Sequence, residues 1–377
     1  MHISSRAAAL RYSTIRQISE KANTCGPDLV RLDIGDPDYP EPTLLNQIMP
    51  EVVAKGSFYA PTAGLPELRR RLALRHSEAF CCDVSPSSVV VTAGGTGALN
   101  AAEALFVDAG DSIAIPTPGY PNYRSLGPLL GFRTVTYGLD PARDWQPDLN
   151  EIEQLFATGT CAILLNSPHN PAGCVLDAKT ILEIADLCRR YDTWIISDEV
   201  YAAMQFTGTP VSAFALAPDR VISAHSFSKE FSMTGYRIGY ALVPDGLAER
   251  FPMVLMGLMG SPSSISQCAA LGLVSNEESS GARTFYQQRQ ARVSELLAEA
   301  GIESWEPKGT FYRLIRLPEQ IGDSFDFALR LIDHGVATVP GVAFGEIPGF
   351  GERYLRLSLT QSNERIEAGI HRLADAL

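Results

Sequence analysis

Between residues 88 and 243 the chain repeats one pattern: a short run of continuous apolar residues, then a stretch with helical spacing. Ser88–Ala93, Ser112–Pro116, Cys161–Asn166, Thr193–Asp198, Val221–His225 and Ile238–Val243 read as strands. Between them, Thr96–Val107 lines up Leu99, Ala102, Leu105 and Phe106, and Asp177–Arg190 lines up Ile181, Ile184, Ala185 and Cys188 on one helical face. A strand that is apolar at successive positions has no face to give to water, so helices must cover both sides of its sheet. That is the signature of a mostly parallel α/β sheet. After about residue 265 the pattern changes. A helical stretch, Ala282–Ala300, precedes short strands around Thr310–Arg316 and Tyr354–Leu359, and helix-like residues run from Asn363 to Leu377. The expected organisation is an N-terminal arm with part of a small domain (1–40), a large domain (41–265) and a C-terminal small α+β domain (266–377).

A chain of 377 residues, 45% apolar, can bury cores for two such domains without disulfides or structural zinc. Its 31 basic and 43 acidic residues leave a net charge of −12, which argues against nucleic acid as a partner. Seven cysteines (Cys25, Cys81, Cys82, Cys161, Cys174, Cys188, Cys268) form no CxxC pair, so neither a disulfide framework nor a metal site is expected. Apolar stretches such as Ala162–Leu165 and Met253–Met256 fall far short of the ~20 residues of a membrane helix. Residues 1–19 carry Arg6, Arg11 and Arg16 and no acid, but there is no small-residue cleavage signal. An amphipathic arm on a cytoplasmic protein is the expectation.

Chemistry concentrates in five places. Ser226-Phe227-Ser228-Lys229, with Arg237 eight residues on, follows an apolar strand. A lysine there would be partly desolvated, which frees its lone pair, while the serines and a guanidinium fork suit a phosphate. Read alone, such a segment is as readily a solvated loop. Gly94-Gly95-Thr96-Gly97 leaves a strand and opens a helix, which makes either an anion site or a tight turn; it matches neither GxGxxG nor a P-loop. Asn166–Gly173 is a turn cluster at the end of a buried strand, where open α/β sheets bind ligands. Asp198, also at a strand end, is costly to bury without a cation, and Tyr201 follows three residues later. Arg356 lies inside an apolar strand, where it either binds an anion or snorkels from an edge.

Together these segments resemble the class I/II aminotransferases, pyridoxal-phosphate enzymes of fold type I, over nearly the whole chain. In the family's order come Leu32-Asp33-Ile34-Gly35-Asp36-Pro37-Asp38, Tyr59 with Gly64–Arg69, Gly94-Gly95-Thr96, Pro118-Gly119-Tyr120-Pro121, Asn170-Pro171, Asp198 with Tyr201, Ser226–Lys229, Arg237 and Arg356. Ala172, where the family commonly has Thr, is a minor departure. The resemblance implies an α/β fold: a large domain with a mostly parallel seven-stranded sheet sandwiched by helices, plus a smaller α+β domain. It also implies pyridoxal 5′-phosphate as cofactor and a homodimer with shared active sites.

By the same resemblance, Lys229 would hold the cofactor covalently and carry the catalytic proton, and Asp198 would keep the pyridine nitrogen protonated. Asn170 and Tyr201 would hydrogen-bond the phenolic oxygen, and Tyr120 would stack on the ring. Gly95, Thr96, Ser226, Ser228 and Arg237 would hold the phosphate, joined by Tyr59 from the other subunit. Arg356, Gly35 and Asn170 would bind the substrate carboxylate. His169 reads as a structural turn residue and His225 as a residue behind the lysine loop. Dicarboxylate-specific relatives place a lysine directly after the two glycines, or an arginine shortly before the segment matching Gly260–Gln267. Here the first position is Thr96, and no Lys or Arg lies between Arg250 and Arg283. A neutral or aromatic amino acid, rather than aspartate, is therefore the expected donor to a 2-oxo acid. The Met-rich stretch from Met253 to Met259 reads as an adaptable helix packed in the core. The alternative is an elimination or cyclisation enzyme on the same scaffold. A cofactor-binding regulator is a weaker third reading, because no basic DNA-binding module is visible.

Overall fold

The computed structural model describes residues 2–40, 43–55, 58–275, 281–345 and 350–377. Along the chain the strands are β1 (Val30–Arg31), β2 (Val89–Thr92), β3 (Ser112–Thr117), β4 (Arg133–Asp140), β5 (Gln146–Pro147), β6 (Ala162–Asn166), β7 (Trp194–Asp198), β8 (Val221–Ser226), β9 (Gly239–Leu242), β10 (Ser304–Trp305), β11 (Tyr312–Arg316), β12 (Val336–Ala337), β13 (Val339–Pro340) and β14 (Tyr354–Ser358).

The large sheet runs β2-β9-β8-β7-β6-β3-β4-β5. β9 is antiparallel to both neighbours and β5 to β4; the remaining pairs are parallel. The seven-stranded expectation therefore gains an eighth, two-residue strand at the edge. β4 is the one long strand that the apolar-run reading does not find. Only Tyr137 and Leu139 of its side chains are buried, and Arg133 and Thr136 face solvent, so it has no continuous apolar run.

Alternation along the central strands builds two cores. Val89, Val91, Ile163, Leu165 and Ile195 belong to one core together with Ile181, Ile184, Ala185 and Cys188 of the helix Ala178–Tyr191. Val90, Ala162, Leu164 and Ile196 pack on the other face, against the helix Gly94–Phe106 and against Phe251 and Leu255 of the helix Arg250–Met259. That last helix corrects the expectation of a core element. It buries Phe251 and Leu255 but leaves Met253, Met256 and Met259 exposed.

The helix Ser264–Ser275 buries Ala269, Ala270, Leu273 and Val274 in the same core as β2, between the helices Thr43–Lys55 and Pro66–Phe80. This helix, which spans the expected boundary near 265, has its apolar face buried by elements of the large domain. A third core joins Ile18 and Ala22 of the arm to Val293, Leu297, Phe327, Leu355 and Ile370, and β1 pairs with β12. The small sheet, β10-β11-β14-β13, is antiparallel. All seven cysteines are free thiols. Among the described residues no helix is long and apolar enough to cross a membrane.

What positions the site is register. Asn166 aligns with Asp198, so β6 and β7 end level with one another, and Asp198 aligns with Ala224, so β8 runs two residues further, to Ser226. The side chains that follow those ends converge above the sheet.

Candidate active site

β8 ends at Ser226, whose Oγ accepts the Ser228 amide at 3.1 Å and caps the one-turn helix Phe227–Glu230. This turn aims Lys229 into a cavity of about 1120 Å³. Its Nζ donates to the Gly35 carbonyl at 2.6 Å and lies 5.7 Å from the Phe311 ring centroid. Burial pushes the amine below its ordinary value; Arg356 and Arg237 add to this, while Tyr312 and Asp36 oppose it.

At the end of β7, Asp198 is buried. Its Oδ2 accepts the Tyr123 hydroxyl at 2.7 Å and its Oδ1 the Val200 amide at 3.3 Å. Burial raises this carboxyl to about 6, against the pull of those two hydrogen bonds and of Lys229. A carboxylate with neutral partners in such a place is poised for a cation.

Opposite stands Arg356 on β14, 2% exposed. Its Nη1 donates to Asn170 Oδ1 at 3.0 Å and its Nη2 to the Asp33 carbonyl at 2.8 Å, while its buried Nε has no hydrogen-bond partner among the described residues. The guanidinium lies over Tyr312, 4.1 Å from the ring centroid. The Tyr201 hydroxyl donates to that of Tyr312 at 3.2 Å, and a Cβ on Gly35 would stand 2.1 Å from the Tyr312 oxygen. Asn170 is fixed from behind, its amide donating to Asn166 Oδ1 at 2.8 Å.

The other end of the cavity suits an anion. The helix Gly94–Phe106 starts there, with Gly94 at φ +76°, where a Cβ would stand 2.8 Å from Arg237 Nη2. Arg237 is held by a bond from Nη1 to the Thr234 carbonyl at 3.0 Å. Beside it, Ser228 Oγ is buried with no hydrogen-bond partner. Helix amides, a spare hydroxyl and a guanidinium are a phosphate donor set. A phosphorylated, protonated heteroaromatic ring carrying an aldehyde fits this donor set together with Asp198 and Lys229.

Gly35, Gly95, Thr96, Tyr120, Asn170, Asp198, Tyr201, Ser226, Ser228, Lys229, Arg237 and Arg356 all line this one cavity. Tyr59 does not; it lies on the surface, 99% exposed. Sequence reasoning missed Tyr123 and Tyr312. Their signals, a second tyrosine after Tyr120 and an aromatic next to Phe311, are no different from core aromatics. It also missed Arg11, Arg16 and Arg124 at the cavity wall, since a search for cations at position 96 and between 250 and 283 reaches neither the arm nor the turn after Tyr120. His169 is buried, with Nδ1 accepting the Ala172 amide at 3.4 Å, and burial lowers it to about 3. His225 bonds Ser223 Oγ at 2.8 Å behind the sheet end.

Residues 27–373 match the family described as aminotransferase class I and II. The aspartate/prephenate aminotransferase of Thermus thermophilus is 31% identical, over 100% of this chain and 98% of its own. An arginine–pyruvate transaminase of Pseudomonas aeruginosa is 32% identical, over 93% and 90%. The crystal structure of an aspartate aminotransferase from Thermotoga maritima superposes with a TM-score of 0.91 at 30% identity, covering 99% of both chains.

Proposed function

We propose, for a chain that belongs to the class I and II aminotransferase family of pyridoxal-phosphate enzymes, a specific assignment of residues and donors. The observation that carries it is a convergence. Lys229, Asp198 and Arg356 face one cavity, and among the described residues the carboxylate and the guanidinium each lack a counter-charge bonded to them.

Pyridoxal phosphate, when bound, supplies an electron sink for the pair released as the substrate Cα–H bond breaks. Lys229 would hold it covalently, and its Nζ, when free, would accept the Cα proton, a role suited to an amine that burial keeps below its ordinary value. Asp198 holds the proton of the ring nitrogen, and Tyr123 holds Asp198 in place. Asn170 and Tyr201 would hold the phenolic oxygen, Tyr120 would stack on the ring, and Gly95, Thr96, Ser226, Ser228 and Arg237 would hold the phosphate. Arg356 exchanges neutral carbonyl acceptors for the substrate α-carboxylate, beside Gly35 and Asn170. A clamped carboxylate and a covalent tether leave Cα one orientation, which is the proximity contribution to catalysis.

Tyr59 completes the phosphate site of a second copy in a homodimer. Its near-complete exposure, together with the outward-facing Met253, Met256 and Met259, supports an apolar surface that a partner subunit covers.

For the donor, Thr96 and the absence of Lys or Arg between Arg250 and Arg283 favour a neutral or aromatic side chain. A second reading, an acidic side chain, is favoured by Arg11 and Arg16 at the cavity wall. Both are already engaged, Arg11 by the carbonyls of Ala8 and Leu10 and Arg16 by Glu20, so the neutral reading stands first. The test is kcat/KM for aspartate, phenylalanine, leucine and methionine, with single-turnover absorbance scans. Conversion to the pyridoxamine form with phenylalanine ahead of aspartate is expected; a strong preference for aspartate refutes the donor assignment. Ammonia release without an acceptor identifies elimination instead.

A further inference from the structure

Tyr312 belongs to none of the segments that carry the family resemblance, yet it touches three groups of the site at once. Its ring lies 4.1 Å from the Arg356 guanidinium carbon, its hydroxyl is 3.2 Å from that of Tyr201, and the same oxygen fills the space beside Gly35. β11 and β14 are paired so that Tyr312 aligns with Ser358, two residues from Arg356, and the alternation of strands puts Tyr312 and Arg356 on the same face.

We propose that Tyr312 is a positioning residue that couples the carboxylate clamp to the phenol of Tyr201. This rests on the assignment of Lys229, Tyr201 and Arg356 given above. Two physical roles separate cleanly within one side chain. The ring face is a cation-holding surface for a buried guanidinium that has only neutral hydrogen-bond partners, and it keeps the fork level for a bidentate carboxylate. The hydroxyl is one member of a two-phenol chain. Each phenol has one proton to give and can also accept. When Tyr201 donates to the cofactor oxygen, its proton is no longer available to Tyr312. Tyr312 then rotates its own proton toward the Tyr201 oxygen, and a phenol that accepts a hydrogen bond is a stronger donor. The titratable and charged groups facing this pair are Arg356 from β14, Lys229 from the one-turn helix, Asp198 from the end of β7, and Tyr120.

Two variants of the holoenzyme read the two roles independently. Tyr312→Phe keeps the ring and removes the hydroxyl. A weaker Tyr201 donor favours the cofactor oxygen's anion less, so the pH midpoint of the resting enzyme's visible absorption band rises by about half a unit, without turnover, while KM for the amino acid stays close to that of the wild type. Tyr312→Leu also removes the ring, and KM rises a further 3- to 10-fold or so over the Phe variant. A Phe variant with the wild-type midpoint, or a Leu variant with the KM of the Phe variant, overturns the proposal. A wild-type protein that shows no visible band after incubation with pyridoxal phosphate overturns the cofactor assignment as well, whereas a band insensitive to Tyr312→Phe overturns this inference alone.

Discussion

Arg313 and Arg356 lie on paired strands of one small sheet, both almost fully buried, with Arg313 opposite Leu357 and Arg356 opposite Leu314. Alternation sends them to opposite faces. On the face away from the cavity Arg313 has a counter-charge: it bonds Ser304 Oγ through Nε and Nη2, and its Nη1 lies 2.8 Å from a Glu306 carboxylate oxygen without completing a hydrogen bond. On the cavity face Arg356 meets the Asn170 amide oxygen and a backbone carbonyl, with no carboxylate bonded to it among the described residues. Arg289, paired with Asp38 at 2.6 Å, resembles the first, and Asp198, bonded to neutral donors, resembles the second. A buried charge that the fold has already neutralised is part of the scaffold. One that the fold leaves with neutral partners carries a desolvation cost that a ligand of opposite charge relieves.

The sharpest test of that contrast is Lys229→Ala. Transamination should fall by about 10³-fold or more and borohydride should no longer fix the cofactor to the protein, while the melting temperature of the apoprotein barely moves. A large loss of stability would make Lys229 scaffold rather than site. Asp198→Asn comes next, with kcat lower by about a hundredfold or more. Because burial raises this carboxyl to about 6 from 3.8, the folded state holds the proton more tightly than the unfolded chain does. Ionisation above pH 6 therefore costs native stability, and the cost is relieved as pH falls through 6 toward 4. The apo Asn variant should melt higher than the wild type at pH 7.5, and the two should converge near pH 4. A lower melting temperature at pH 7.5 would mean that Asp198 is already compensated.

The arginine pair itself gives opposite signatures. Arg356→Ala should raise KM for the amino acid by about 30- to 100-fold with cofactor still bound, as expected for losing a charge-assisted clamp. Arg313→Ala should leave KM alone and lower stability by about 1–2 kcal/mol through lost packing and hydrogen bonds. Equal effects on KM would remove the distinction between the two faces. The smallest expected effect is Tyr123→Phe. Removing a hydrogen bond that lowers the Asp198 carboxyl should weaken cofactor binding a few-fold, more at pH 6 than at pH 8. Fluorescence titration of the apoprotein with pyridoxal phosphate measures it.

Much of the large domain was legible because its central strands are apolar on both faces. Ser88–Ala93, Cys161–Asn166 and Thr193–Asp198 announce β2, β6 and β7 within a residue or so, and the turn residues after each end point to the cavity. β4 was not legible, since an outer strand with solvent-facing Arg133 and Thr136 carries too weak a signal. The boundary near 265 is legible only coarsely, for a related reason. The helix Ser264–Ser275 looks the same in sequence whichever domain buries it. Within the site, the lysine, aspartate and glycine segments were ambiguous one by one and became legible through their order, which resembles that of the family, whereas Tyr123 and Tyr312 are ordinary aromatics until their hydroxyls are placed.

The residue types and their local order determined the α/β architecture and the set of reactive groups, because strand alternation, helix capping and turn chemistry act over a few neighbours. Tertiary structure decided which of those groups were left unneutralised. Arg356 takes its partners from Asn170 and Asp33, 186 and 323 positions away, and the arm's Arg11 and Arg16 reach the cavity only through the packing of Ile18 and Ala22 on the small domain. Counter-charges and cavity walls are set by such distant contacts, and no local pattern encodes them.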